Sequence, residues 1–280
     1  MSRDSVTLPT TAVLGAGAMG GAIVSGMLAP HVTVTGGIRV TNRSREKAAA
    51  TARPGVVSLA LADDPDANRV AVDGARIVIA AVKPAMILDL LREVADALAD
   101  DAIVVSVAAG ITTAAMEAVL PERVVVLRAM PNTPAHVGLG VTGIAPGVRA
   151  TDADTTLIES LFRTVGETIT LTEDRIDALS AVSGSGPAYV FLFMEKFTEA
   201  AVGLGFTVAE ARLMVESTFR GASELLAQSP SSPTELRRQV TSPQGTTERA
   251  IAVLDKADLT ELFERATAAA IARARELSRS

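Results

Sequence analysis

Six residues near the start of this 280-residue chain restrict its fold more than any others: Gly15-Ala16-Gly17-Ala18-Met19-Gly20. They follow a short apolar run at 11–14 and lead into a helical pattern at 20–28, so they occupy a strand-to-helix turn. Each glycine has its own use. Gly15 permits the tight turn, Gly17 admits a ligand against bare backbone, and Gly20 lets the helix lie close on the strand. Such a turn aims helix-terminal amides at an anion, above all at the pyrophosphate of a dinucleotide. The motif is short, but a strand before it, a helix after it and a second strand at 38–42 make it specific.

The alternation continues. Candidate strands fall at 11–14, 38–42, 77–82, 103–107, 124–128 and 141–145, with helices at 20–28, 45–51, 85–98 and 113–120. A helix and strand at 153–165 and 168–171 close this half. Several strands are Val/Ile runs without polar alternation, as expected where both faces are covered. The pattern predicts an α/β fold: an N-terminal Rossmann-type parallel sheet over residues 1–172. Over residues 173–280 helices take over, with Pro187 suited to a first turn and capping-box spacing at Thr207/Glu210, Ser232/Glu235 and Asp258/Glu261. The helix from Ala188 begins Tyr189-Val190-Phe191-Leu192-Phe193-Met194, apolar on every side. A helix of that kind needs cover all round, and a domain of about 100 residues has little interior to give it. A second copy of the chain is the expected cover. The second half is therefore predicted to be an all-α dimerisation domain, in a homodimer or a larger assembly of dimers.

What the chain lacks narrows its chemistry. Without cysteine there is no disulfide, thiolate nucleophile or thiolate metal site. The two histidines, His31 and His136, lie far apart and are assigned no chemistry, so no metal site or Ser-His-Asp triad is expected. A net charge of −6 with no basic patch argues against a nucleic-acid or acidic-membrane partner. The polar start at 1–9 predicts no signal peptide. Ser183-Gly184-Ser185-Gly186-Pro187 interrupts the uncharged stretch 178–194, which argues against a membrane span and leaves a cytoplasmic protein as the expectation.

Candidate cofactor residues cluster at strand ends. Leu14 closes the first strand and Gly15-Ala16-Gly17-Ala18-Met19-Gly20 follow as the pyrophosphate turn. The second strand ends in Asn42-Arg43-Ser44, where NAD-binding chains carry an acid for the ribose hydroxyls. A cation and a hydroxyl there favour NADPH over NADH, with NADH still possible. The alternative for Arg43 is a solvated loop cation. Ala81-Val82-Lys83-Pro84 and Ala108-Ala109-Gly110 follow later strands, at the carboxyl edge where open α/β sheets bind ligands. Either loop would also serve as an ordinary strand-to-helix turn.

Three further segments stand out: 177–189 around Ser183-Gly184-Ser185-Gly186-Pro187, Arg128-Ala129-Met130-Pro131-Asn132-Thr133-Pro134, and Val240-Thr241-Ser242-Pro243-Gln244-Gly245-Thr246-Thr247. In this order, behind the glycine turn, they resemble the pyrroline-5-carboxylate reductase family over residues 11–277. The resemblance implies hydride transfer from NADPH to the ring C=N bond of Δ1-pyrroline-5-carboxylate, giving L-proline as the final step of proline biosynthesis. A protonated cyclic imine is already electrophilic, so the enzyme needs positioning more than a strong acid. The family likeness puts the substrate carboxylate at Gly245, Thr246 and Thr247, with the Thr247 hydroxyl as the catalytic contact near the imine nitrogen. Without it, both threonines read as simple helix caps. It also implies that Ser183, Gly184 and Ser185 shape the pocket floor, that Asn68 touches cofactor and that Glu173 lies near substrate. The chain departs from the family at Gln244, where glycine is usual; a left-handed backbone would strain glutamine there by roughly 1–2 kcal/mol. Two rival readings share the glycine turn. A β-hydroxyacid dehydrogenase of the 3-hydroxyisobutyrate type needs a lysine as general acid and base, and Lys196 is the only one on the corresponding helix. A non-enzymatic NADP-binding sensor would bind NADPH and oxidise none.

Overall fold

The computed structural model describes residues 5–277. Its strands are β1 (Val6–Leu8), β2 (Thr11–Leu14), β3 (Val32–Val34), β4 (Ile38–Asn42), β5 (Val56–Ala60), β6 (Ile77–Ala80), β7 (Ile103–Ser106), β8 (Val125–Met130), β9 (Gly140–Pro146) and β10 (Gly166–Thr170). The helices flanking them are α1 (Ala18–Met27), α2 (Arg45–Thr51), α3 (Ala67–Val72), α4 (Ile87–Val94), α5 (Thr113–Glu117) and α6 (Asp152–Phe162). Eight strands form one sheet in the order β10-β9-β8-β7-β6-β2-β4-β5, and β1 pairs with β3 apart from it. From β5 to β8 all pairs are parallel and the order reverses beside β2, as in a Rossmann sheet.

Pleating explains why these runs are apolar throughout. Val13, Val40, Ile79, Val105 and Leu127 point to one face and pack with Ile23 and Met27 of α1 and Phe162 of α6. Their neighbours Ala12, Leu14, Val78, Ala80, Val104 and Val126 point to the other, against Ala71 and Val72 of α3 and Leu91 and Val94 of α4. Each strand is buried twice, so polar alternation has no place in it.

The sheet is not parallel throughout. β9 runs antiparallel to β8, with β10 parallel to β9. The reason lies in the connection: a single 3₁₀ segment, Thr133–Val137, joins β8 to β9. A parallel return needs a longer crossover than that.

The helical half comprises α7 (Ile176–Leu179), α8 (Gly186–Gly203), α9 (Val208–Gln228), α10 (Pro233–Gln239), α11 (Thr246–Leu254) and α12 (Leu259–Leu277). The α9 and α10 boxes form as their spacing predicts, with Thr207/Glu210 and Ser232/Glu235 bonding reciprocally. Compact units part at Gly184 and Ser185, and Ser185–Ala269 make up the second. Segment 173–184, which the sequence pattern assigns to the helical half, is counted with the sheet. Glu173 and Asp177 pair with Arg128 of β8, and Ile176 is fully buried. Within the second unit Phe263 lies 6.2 Å from the Tyr189 ring and 6.1 Å from that of Phe193. Yet Val190, Phe191, Leu192, Phe193 and Phe197 of α8 remain exposed.

One buried carboxylate ties α6 to the sheet. Asp154 accepts from Thr151, closing the α6 capping box, and from Arg76 at 2.8 Å. Burial pushes its pKa up, but the Thr151 hydroxyl and amide and the Arg76 guanidinium outweigh this and hold it below the ordinary 3.8. A depressed pKa means stability that is present above the unfolded value and lost as pH falls through the folded one. Asp154→Asn should cost about 1–3 kcal/mol in urea unfolding at pH 7. The difference from the unaltered chain should close as pH drops below 3.8. An undiminished difference in strong acid would show that the carboxylate charge is not what holds α6.

Candidate active site

At the carboxyl edge, beyond the ends of β2, β4 and β6, lies a cavity of about 720 Å³. Its back wall is the glycine turn. Gly15 has φ +92, and a Cβ there would stand 2.9 Å from Val82 Cγ1 and 3.1 Å from the Ala81 carbonyl oxygen. At Gly20 a Cβ would meet the Gly15 carbonyl oxygen at 2.5 Å, so helix and strand approach as closely as backbone allows. Gly17 is different: nothing lies within 4 Å of where its Cβ would be, and its bare backbone faces the cavity. Gly17 is also the N-cap of α1 and contributes no side-chain bond, so the first-turn amides have no partner within the helix. Exposed amides beside a wall kept free of side chains fit a pyrophosphate.

The other walls carry charge and apolar surface. Asn42 is buried and donates to Thr51 Oγ1 at 3.1 Å, which pins α2 to the end of β4. Ser44 caps α2 by accepting from the Lys47 amide. Together these contacts set Arg43, Ser44 and Lys47 along one wall. Lys83 lines the cavity with Ala81 and Val82. Asn68, 4% exposed, donates to Glu93 at 3.0 Å, and both face the cavity. Leu61, Pro65, Met86 and Leu90 supply the apolar surface, and Asp89 stands one turn before Glu93. A flat base between apolar side chains, a pyrophosphate at the glycines and a phosphorylated ribose at Arg43 suit this lining.

Of the cofactor residues expected from sequence, Gly15, Ala16, Gly17, Asn42, Arg43, Ser44, Asn68, Ala81, Val82 and Lys83 share this cavity. Leu14, Ala18, Met19 and Gly20 form the strand end and helix start behind it. Pro84 opens the 3₁₀ turn before α4. Ala108, Ala109 and Gly110 follow β7 at the same edge but outside the cavity wall. Sequence reasoning missed Lys47, Asp89 and Glu93. Lys47 had a signal in its cap spacing after Ser44; the two acids had none, because only the placement of α4 brings them in.

A second group lies further along the edge. Arg128, 4% exposed, donates to Glu173 at 2.6 Å and stands 3.6 Å from Asp177. Glu173 also accepts from the Thr113 amide at 3.2 Å, so both its oxygens are engaged. Asn132 donates to the Ser183 carbonyl at 2.9 Å and accepts from the Val141 amide at 2.8 Å. Ser183 and Gly184 end a π-helical turn, Ser180–Gly184, a form common at functional sites. Ser185 precedes α8 in the second unit, as Gly245, Thr246 and Thr247 precede or open α11. The N-cap of α11 is Gly245, with no side-chain bond; Thr246 and Thr247 are its first two helical residues.

Known proteins share this arrangement. The pyrroline-5-carboxylate reductase dimerisation family model matches residues 173–277, and that for NADP oxidoreductases, coenzyme F420-dependent, matches residues 10–110. The pyrroline-5-carboxylate reductase of Corynebacterium melassecola is 38% identical, over 97% of this chain and 100% of its own. That of Escherichia coli is 36% identical, over 87% of this chain and 88% of its own. The solved pyrroline-5-carboxylate reductase of Coxiella burnetii is 39% identical, with a TM-score of 0.88 over 96% of this chain and 98% of its own. A Plasmodium falciparum pyrroline carboxylate reductase solved with NADP bound shares the fold at 23% identity and a TM-score of 0.79, covering 96% and 98% of the two chains.

The wall of Arg43, Ser44 and Lys47 yields a cofactor test. A guanidinium on a ribose phosphate is worth roughly 1.5–3 kcal/mol, about ten- to a hundredfold in affinity. Arg43→Asp should raise KM for NADPH by that factor and for NADH by less than about threefold. Equal rises for both cofactors in steady-state assays would show that Arg43 does not read the phosphate.

Proposed function

The chain belongs to the pyrroline-5-carboxylate reductase family, and we propose that its glycine-turn cavity holds cofactor and that Gly245-Thr246-Thr247 hold substrate. The reaction is reduction of the ring C=N bond of Δ1-pyrroline-5-carboxylate to L-proline, the final step of proline biosynthesis. NADP(H), when bound, supplies the hydride for that bond. A cytoplasmic location, where reduced nicotinamide cofactor is regenerated, belongs to the same proposal.

The observation that carries it is the bare amide end of α11. Gly245 caps the helix without a side chain, so the Thr246 and Thr247 amides remain for an anion. The substrate carboxylate is such an anion. Among the described residues neither threonine serves as the helix cap, and both are exposed. Their hydroxyls are therefore left for a ligand. In the proposal the Thr247 hydroxyl contacts the ring nitrogen, steadying the imine while its carbon accepts the hydride. Ser183, Gly184 and Ser185 are assigned to substrate in the same proposal, and the Asn132 bond holds Ser183. Glu173 acts through Arg128 and the Thr113 amide as a positioning residue.

The rival readings are not favoured. Lys196 pairs with Glu195 and Glu199, and the Glu199 hydrogen bonds raise its pKa, the reverse of what a general acid and base working near neutrality needs. A sensor without chemistry has no support among relatives that are reductases over nearly their whole length.

The helical unit carries the family's dimerisation domain, and the chain is a homo-oligomer. By length and composition alone the run Glu173–Gly203 is long and apolar enough to cross a membrane. It begins in the Arg128 ion pairs, however, and lies inside the dimerisation match. We assign the cover of its exposed phenylalanines to a second copy, as a homodimer or a larger assembly built on dimers.

Thr247→Ala deletes the hydroxyl and keeps the amides. It should lower kcat with pyrroline-5-carboxylate by one to three orders of magnitude, about 1.4–4 kcal/mol, and leave KM for NADPH unchanged. Thr246→Ala is the companion: since neither residue caps α11, both should unfold within about 0.5 kcal/mol of the unaltered chain. Turnover by Thr247→Ala at the unaltered rate would remove Thr247 from the reaction.

A further inference from the structure

The turn before α11 contains a residue in a conformation glutamine avoids. Gly245 N–H donates to the Ser242 carbonyl at 3.0 Å, closing a four-residue turn with Pro243 second and Gln244 third. Gln244 has φ +60. Proline second and a positive φ third define a type II turn, whose third position is ordinarily glycine. Gly245 is needed on other grounds, since a Cβ there would meet Ser242 Oγ at 2.5 Å. Something must hold Gln244 left-handed against its own sterics.

Glu248 is the group in place to do so. Its Oε2 accepts the Gln244 amide at 2.9 Å. In α6, α9 and α10 the third helical residue is likewise an acid, but there it accepts from the N-cap amide while the cap's hydroxyl accepts in return. In α11 the cap is glycine, and the acid reaches past it to the turn. The Thr246 and Thr247 amides stay uncovered, and the turn leading to them is fastened.

We propose that Glu248 is a positioning residue for substrate binding. It clamps Gln244 in the left-handed conformation and so fixes the Thr246 and Thr247 amides where a carboxylate can reach both. The inference rests on the reading of this turn as the substrate site. A chain with glycine at 244 would need no clamp, because glycine enters that conformation freely. Glutamine at 244 and glutamate at 248 therefore act as a pair.

A double-mutant cycle in the full-length enzyme tests the pairing. Glu248→Ala should raise KM for pyrroline-5-carboxylate about tenfold, leaving kcat within about twofold and KM for NADPH unchanged. Glu248→Gln keeps an oxygen acceptor without the charge and should stay within about threefold in KM. In a Gln244→Gly background the further change Glu248→Ala should raise KM less than about threefold, because the turn then holds itself. That double variant, whose turn carries no strain, also reads the inference if Glu248→Ala alone folds poorly. An unchanged KM in Glu248→Ala, or the same tenfold rise in both backgrounds, overturns the clamp. A fall in KM with both Glu248→Ala and Glu248→Gln overturns it too, since charge repulsion would then be the residue's effect. If Thr247→Ala is impaired while Glu248→Ala is not, only the clamp fails; if neither is impaired, the reading of the turn fails with it.

Discussion

The approach of Gly20 to the Gly15 carbonyl governs the rest of the molecule. That contact lets α1 begin immediately after β2, with its amide end at the carboxyl edge of the sheet. A methyl group at Gly20 would fall 2.5 Å from the Gly15 oxygen and drive the helix off the strand, at the expense of the packing of Ile23 and Met27 on Val13. The same displacement would move the first-turn amides from the cavity. Core packing and the placing of the helix amides at the cavity thus share one steric condition. Gly15 joins the two, since its left-handed φ turns the chain between Ala81 and Val82 on one side and α1 on the other.

A second constraint fastens the segment that follows the last strand. Burying the Arg128 guanidinium is tolerable only with partners, and those partners are Glu173 and Asp177, just beyond β10. Losing Glu173, the nearer of the two at 2.6 Å, would leave the guanidinium only Asp177 at 3.6 Å. The segment leading to Ser183 is thereby tied to β8, and Asn132 ties its end to β9. Glu173 is thus explained by its own partners: one oxygen holds the Arg128 guanidinium and the other the Thr113 amide.

How much of this could be read from sequence depended on how local each cause was. β2 and β4 lie at the expected limits because their apolar runs are buried on both faces. β1, β3 and β5 escaped because exposed residues interrupt them, as Val57 does in β5. The reversal at β9 depends on a connection whose length, more than its composition, decides the direction. The glycine turn was legible since its requirement is steric and lies within six residues. Asp89 and Glu93 were not, because the packing of Leu91 and Val94 brings α4 to the cavity. The strain at Gln244 could be suspected from family likeness, but the Glu248 bond that answers it exists only in the folded turn.

The central claim is that this chain reduces a cyclic imine by hydride transfer from a cofactor held at the glycine turn. The most direct measurement follows the label. NADPH carrying deuterium at both C4 positions of the nicotinamide is incubated with enzyme and Δ1-pyrroline-5-carboxylate, and the product is examined by mass spectrometry and NMR. The expected product is L-proline with one deuterium, on the ring carbon that was double-bonded to nitrogen. Unlabelled proline, label on another carbon, or no proline beside active turnover of a 3-hydroxy acid with NADP would contradict it.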